Sequence, residues 1–174
     1  MLIPLEEAHE LIERSFKRSL RSKRIKVWEA LGKIAAQEIR SPIDVPERPL
    51  AAMDGFAVRA EDLGKYDYLK VVGKSFPSSN GLPELKEGEA VYVTTGAPIP
   101  PGANAVIRVE ATKVEGDRLY TAVKVSPGKD IRPTGEDFRK GEVLVRAGKA
   151  LNERDLALLL RAGIEEVEIL DYKS

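Results

Sequence analysis

The sequence contains no cysteine, which excludes disulfide scaffolds, thiolate metal sites and cysteine nucleophiles. It holds one histidine, His9, so a multi-histidine metal site is excluded and a catalytic histidine pair with it. No apolar run approaches the roughly 18–20 residues of a membrane-spanning helix. Neither sign of charge is in excess: 28 basic residues face 28 acidic ones, for a net charge of zero. A chain whose main work is gripping nucleic acid or an anionic membrane carries a basic surplus, and this one has none. The opening Met1-Leu2-Ile3-Pro4-Leu5-Glu6-Glu7 lacks the basic start and apolar core of a secretory signal. The expectation is a cytoplasmic protein with no nucleic-acid and no membrane partner. Amides are scarce as well (Gln37, Asn80, Asn104, Asn152) beside many Glu, Lys and Arg, a bias that runs in the thermophilic direction.

What is present is enough for a real core. The 174 residues allow one large domain or two small ones at ~100–200 residues per domain, and 43% of them are hydrophobic. Pro4 and the spacing of Leu5, Ala8, Ile12 and Phe16 predict a first helix, supported by the i,i+4 pairs Glu10–Arg14 and Glu13–Lys17. A basic run from Arg18 to Lys26 reads as a solvated face. A second, shorter helix is predicted around Trp28–Ile39, with Trp28, Leu31, Ile34 and Ala35 on one face. Pro42, Pro46 and Pro49 then end any helix and mark a boundary.

From there to about residue 148 the pattern is β: Tyr68–Val72, Ala90–Thr94, Ala105–Val109, Thr112–Glu115, Leu119–Val125 and Val143–Val145 are short apolar or alternating runs between Gly/Pro turns. The clearest hairpin turns at Gly116-Asp117. Asn152 then caps a helix with Leu156, Leu159 and Leu160 as its apolar stripe and Gly163 past its end, and Glu166–Leu170 reads as a strand. The fold class is therefore mainly β with flanking helices (α+β). Residues 1–41 and 140–174 are expected to form a discontinuous mixed α/β domain carrying an inserted, irregular barrel-like β domain, 42–139.

Three stretches are odder than packing requires. Residues 51–59 place Asp54 before Gly55, where the backbone can turn sharply and present the acid on a tight loop; an Asp-Gly turn entering a strand is the structural alternative. Residues 93–106 form a loop stiffened by prolines and glycines, leaving backbone N–H groups and the Thr94 and Thr95 hydroxyls to meet an oxyanion, or serving as a rigid connector. Residues 130–138 carry the adjacent acids Glu136 and Asp137 after a glycine, with Arg132 nearby. Asp54 with Glu136 or Asp137 would make a partial Mg²⁺ site, since that ion is held by one or two carboxylates plus substrate phosphates; alone, the turn reads as solvated acids. His9 reads as a surface residue.

Taken in order, Pro42-Ile43-Asp44-Val45-Pro46, Ala52-Met53-Asp54-Gly55-Phe56-Ala57-Val58-Arg59, Thr95 through Val106, and Ile131-Arg132-Pro133-Thr134-Gly135-Glu136-Asp137 resemble the amino-terminal region of the MoeA family. These are the molybdopterin molybdenumtransferases, similar to the E-domain of gephyrin. The resemblance implies a mixed linking domain with an inserted irregular β domain. It implies an elongated homodimer, and a cleft shared between the β domain of one subunit and the pterin-binding domain of the other. The implied reaction inserts molybdate into adenylylated molybdopterin with Mg²⁺ and releases AMP. Matched motif by motif, Asp54, Thr95 and Asp137 are the implied catalytic residues, with Asp54 and Asp137 toward the metal. Thr95, Gly96 and Glu136 are implied toward the substrate or cofactor.

The chain stops at Asp171-Tyr172-Lys173-Ser174, short of the motif that opens the family's pterin-binding domain. That domain is expected in the same full-length protein or on a separate chain, and this part alone is expected to be silent. Phe56 stands where the family usually has Tyr, and Asn104 where Asp is common. Two alternatives remain: a non-catalytic dimerisation or scaffold module on the same fold, and an independent Mg²⁺-dependent phosphoesterase. The second finds no nucleophile–base pair to support it.

Overall fold

A computed structural model describes residues 3–172. The chain divides into two compact units: one takes in the chain up to Ile43 and again from Lys140, and the other is Asp44–Arg139. Among the described residues most regular structure is strand, with two α-helices, and the large sheet curls into a half-barrel.

In the first unit, α1 (Leu5–Ser19) starts where Pro4 predicts, and Pro4 O accepts the Ala8 N–H at 3.0 Å. Leu5, Leu11 and Ile12 are exposed and the Glu10–Arg14 pair is not formed, while the expectations for Phe16, Lys17 and Arg18 lie outside the described side chains. The basic run becomes strand β1 (Leu20–Lys26), whose Arg21, Lys23 and Arg24 are exposed. The helix expected over Trp28–Ile39 is absent. Only a single 3₁₀ turn forms, Val27–Glu29, followed by Gly32 at φ +72°. Beyond it Ala35 N–H donates to Lys149 O and Ala36 N–H to Glu168 O, so the segment runs extended between two other parts of the chain. Those long-range bonds override a local helical period. The buried residues are Val27, Ala30 and Ala35, and the expected stripe members Trp28 and Leu31 face solvent.

Strand β2 (Ile39–Arg40) follows in this unit. After the second unit, with strands β3 to β10 below, come β11 (Val143–Val145), α2 (Glu153–Arg161) and β12 (Glu166–Tyr172). β1 pairs antiparallel with β12 over its length, and β2 with β11. Asn152 caps α2 as read: its side chain accepts the Asp155 N–H at 3.0 Å while Asp155 accepts the Asn152 N–H at 3.1 Å. Leu159 is fully buried, Leu156 half-buried and Leu160 exposed, so the stripe is narrower than expected.

In the second unit the strands are β3 (Leu50–Ala51), β4 (Gly55–Val58), β5 (Leu69–Ser75), β6 (Glu89–Val93), β7 (Ala105–Arg108), β8 (Lys113–Glu115), β9 (Arg118–Tyr120) and β10 (Ile131–Arg132). Six of them form one sheet in the order β7-β4-β6-β5-β9-β8, antiparallel except for β5 beside β6. β8 and β9 are the hairpin read at Gly116-Asp117, but β9 ends at Tyr120 rather than Val125. Thr121 ends it: its hydroxyl donates to Ala111 O and accepts the Val123 N–H, turning the chain out of the ladder.

β4 is buried at all four positions, and β6 and β7 are apolar except at Glu89 and Arg108, because both faces of this part of the sheet are covered. Alternate residues enter opposite clusters: Phe56, Val58, Ala105 and Ile107 lie on one side, and Ala57, Val91, Val93 and Val106 on the other. Each fully buried aliphatic side chain contributes about 1.5–3 kcal/mol.

Candidate functional site

The candidate site residues Asp54, Thr95, Gly96, Glu136 and Asp137 all lie in the second unit. Residues 49–52 form the middle of a three-segment seam. On one edge Ala51 N–H donates to Ala97 O and Gly96 N–H to Ala51 O, both at 2.8 Å. On the other, β3 pairs with β10 (Ile131 opposite Ala51, Arg132 opposite Leu50) and Ala52 N–H donates to Asp130 O at 2.9 Å. The backbone therefore joins the three sequence-distant stretches in one place.

Thr94–Ala97 is a β-turn closed by Ala97 N–H donating to Thr94 O at 2.9 Å. Gly96 has φ +81°, the left-handed value a type II turn requires at that position and one a side chain disfavours. Thr95, at the preceding corner, gives both its donors to Asp54: its N–H reaches Oδ1 at 2.6 Å and its hydroxyl at 2.7 Å. These bonds, the hydroxyl first, hold the Asp54 carboxyl below its usual range. Asp54 is exposed, and its Oδ2 accepts no hydrogen bond among the described residues.

This differs from the expectation of open oxyanion donors. The N–H groups of residues 94, 95, 96 and 97 go to Ser75 O, Asp54 Oδ1, Ala51 O and Thr94 O, and Thr94 Oγ1 is buried without a hydrogen-bond partner among the described residues. The anion Thr95 meets is an internal carboxylate. Gly55 also has a different reason to be glycine than the expected sharp turn. Its φ is not in the left-handed region; instead a Cβ there would lie 2.0 Å from Ile107 O, across the β4–β7 ladder.

The acid turn is held by a cation. Arg132 Nε donates to Glu136 Oε2 at 2.5 Å and its Nη2 to Asp137 Oδ1 at 2.8 Å, and these two partners, Glu136 first, raise the guanidinium pKa further. Sequence reading noted Arg132 only as a neighbour; its i,i+4 spacing to Glu136 was the available signal.

Two positioning pairs were missed. Arg108 forks onto Asp130, Nε to Oδ2 at 2.8 Å and Nη2 to Oδ1 at 3.1 Å, and holds the Asp130 carboxyl low. Asp130 has φ +53°, and its carbonyl is the one that receives Ala52 N–H. Asn104, noted above only as standing where Asp is common, works through its amide: Oδ1 accepts Ala60 N–H at 2.7 Å and Nδ2 donates to Glu61 Oε2 at 2.9 Å.

For Mg²⁺ the donor set is of the right kind and incomplete. Asp54 offers a hard, ionised oxygen of the kind Mg²⁺ takes, and Asp137 a carboxylate already bonded to Arg132. Among the described residues no group of three or more His, Cys, Asp or Glu side chains could cage a metal. No described helix is long and apolar enough to cross a membrane.

Comparison with known proteins places this arrangement. Residues 3–163 match the family model for the MoeA N-terminal region (domain I and II). The chain is 40% identical over 145 residues to a molybdopterin molybdenumtransferase of Haemophilus influenzae, covering 83% of this chain and 36% of that protein. It is 29% identical over 169 residues to molybdopterin molybdenumtransferase 2 of Mycobacterium tuberculosis, covering 94% and 42%. A crystal structure of the molybdopterin biosynthesis MoeA protein from Pyrococcus horikosii superposes with a TM-score of 0.88 at 37% identity, over 97% of this chain and 44% of that one. The chain thus spans less than half the length of these relatives.

Proposed function

This chain belongs to the family of MoeA N-terminal regions, domains I and II, and from that premise we propose that it supplies one wall of a molybdenum-insertion site. The transfer is insertion of molybdate into adenylylated molybdopterin with release of AMP. The other wall, a pterin-binding domain, lies outside residues 1–174, on the same full-length protein or on a separate chain. The working form is a cytoplasmic homodimer whose β domain, 42–139, is inserted in a linking domain, 1–41 with 140–174.

One observation carries the reading: Thr95 fixes Asp54 through Oδ1 alone, by two neutral donors, and leaves Oδ2 without a hydrogen-bond partner among the described residues. Neutral donors orient the carboxylate without cancelling its charge. Asp54 and Asp137 are the residues that would hold Mg²⁺, which when bound supplies Lewis-acid polarisation of the phosphoanhydride. Arg132 keeps Glu136 and Asp137 in place until a cation or substrate arrives, and Gly96 keeps Thr95 at its corner.

The test has two arms. The chain alone, given molybdate, Mg²⁺ and adenylylated molybdopterin, forms no cofactor, whereas mixing with a separately expressed pterin-binding domain restores turnover that Asp54→Ala abolishes. Substantial turnover by the chain without any partner, or full activity of Asp54→Ala in the reconstituted pair, overturns the proposal.

A further inference from the structure

The seam of residues 49–52, 96–97 and 130–132 has a second face. Ile131 and Pro133 line a cavity of about 590 Å³, whereas Arg132 between them reaches Glu136 and Asp137. Neighbouring residues of extended chain point to opposite sides, so the cavity and the acid turn use opposite faces of one ribbon. Pro49, Pro98, Pro100 and Pro101 complete its rigid wall. Proline fixes its own backbone, so such a wall resists collapse and holds its shape before any ligand arrives. The volume is within the ~300–1,000 Å³ usual for small-molecule sites.

The lining contains one cation, Arg48. Its Nη2 is anchored on Ser79 O at 3.2 Å and Asn80 Oδ1 at 3.0 Å. Its Nε and Nη1 have no partner among the described residues, and no described carboxylate pairs with it. The cavity's other polar side chain, Asn104, has its amide oxygen on Ala60 N–H and its amide nitrogen on Glu61. The cavity is therefore apolar with a single positive, hydrogen-bond-donating point.

We propose that this cavity is a binding site for a small ring-bearing anion. A flat ring packs against the proline faces, and a carboxylate or phosphate on that ring receives the open Arg48 N–H groups. The proposal goes beyond the insertion reaction and stands whether or not that reaction does, because none of Asp54, Thr95 or Asp137 lines the cavity.

The experiment is an amide-resolved NMR titration of the full chain with phenyl phosphate and benzoate. Benzyl alcohol serves as the neutral counterpart and inorganic phosphate as the ringless one. Both ring anions should produce saturable shifts confined to residues 48–50, 81–82, 98–104 and 128–133. Arg48→Gln should weaken both by about tenfold, the size of a lost charge-assisted hydrogen bond, and leave benzyl alcohol unchanged. Leu82→Trp, which fills the cavity, should remove binding of all ring probes while leaving distant amides in place. Equal affinity for benzyl alcohol and the anions would overturn the role of Arg48, and equal affinity for inorganic phosphate would overturn the ring. Absence of saturable shifts, or shifts centred on Asp54 and Thr95 instead, would end the proposal.

Discussion

Asp54 and the pair Glu136–Asp137 stand on loops of one seam, and the fold holds them by opposite means. Asp54 is gripped by an N–H and a hydroxyl from Thr95, both neutral, so its full negative charge survives. Glu136 and Asp137 share the Arg132 guanidinium, which fixes their positions and cancels one of their two charges. A cation approaching Asp54 displaces nothing charged, whereas one approaching Asp137 must compete with Arg132. Orientation and charge compensation are separate functions, and this molecule assigns them to different residues, Thr95 and Arg132.

The severest way to break the contrast is to remove the ground under Asp54. Gly55→Ala forces a Cβ to within 2.0 Å of a backbone oxygen that cannot rotate away. It should cost about 3 kcal/mol or more, the upper part of the range for forced overpacking, read as a lowered denaturant midpoint. Unchanged stability would mean β4 and β7 are not as close as described. Asn104→Asp comes next. It removes the Nδ2 donor and sets a carboxylate against Glu61, so about 1–2 kcal/mol should be lost in the same assay.

Two milder changes sharpen the comparison. Arg132→Gln removes a partly exposed ion pair and should cost at most ~1 kcal/mol. That cost should fade as salt approaches 1 M, where screening acts within ~3 Å. Thr95→Val removes one neutral donor, and its effect should not depend on salt. It should raise the Asp54 carboxyl pKa toward its ordinary value of about 3.9, readable by carbon NMR of the side chain. The sign follows from a folded pKa held low: Asp54 contributes stability above the unfolded value and loses it as pH falls through the folded one. Thr95→Val should bring that loss to a higher pH. An Asp54 titration unmoved by Thr95→Val would mean the hydroxyl bond does not exist in solution.

The elements with strong local signals were readable from residues alone. The Asn152 cap, the Gly116-Asp117 hairpin and the apolar runs of β6 and β7 all stand where their chemistry puts them. The stretch after Trp28 was misread because its helical spacing is a weak local preference, and backbone bonds to residues 149 and 168 outweigh it. At the site, the unusual loops were visible as composition, and Asp54, Thr95 and the acid turn were named from it. Their partners were not: a hydrogen bond between residues 54 and 95 spans 41 positions and leaves no periodic trace. Arg108 and Asp130 form a site-shaping pair for the same reason, and neither carries a motif.

By itself the sequence determined the chemical vocabulary of this protein: no thiol, one imidazole, no surplus of charge, and stiff loops carrying Asp54, Thr95, Glu136 and Asp137. It also marked where strands such as β6 and β7 lie, because short apolar runs between Gly/Pro turns favour extended chain. Only the tertiary structure decided which donor each acid meets, that Gly55 answers a close approach rather than a turn, and that Arg48 is left with open donors beside a proline-walled cavity. Pairings of this kind depend on distances set by strands far apart in the chain, and no local preference encodes a distance.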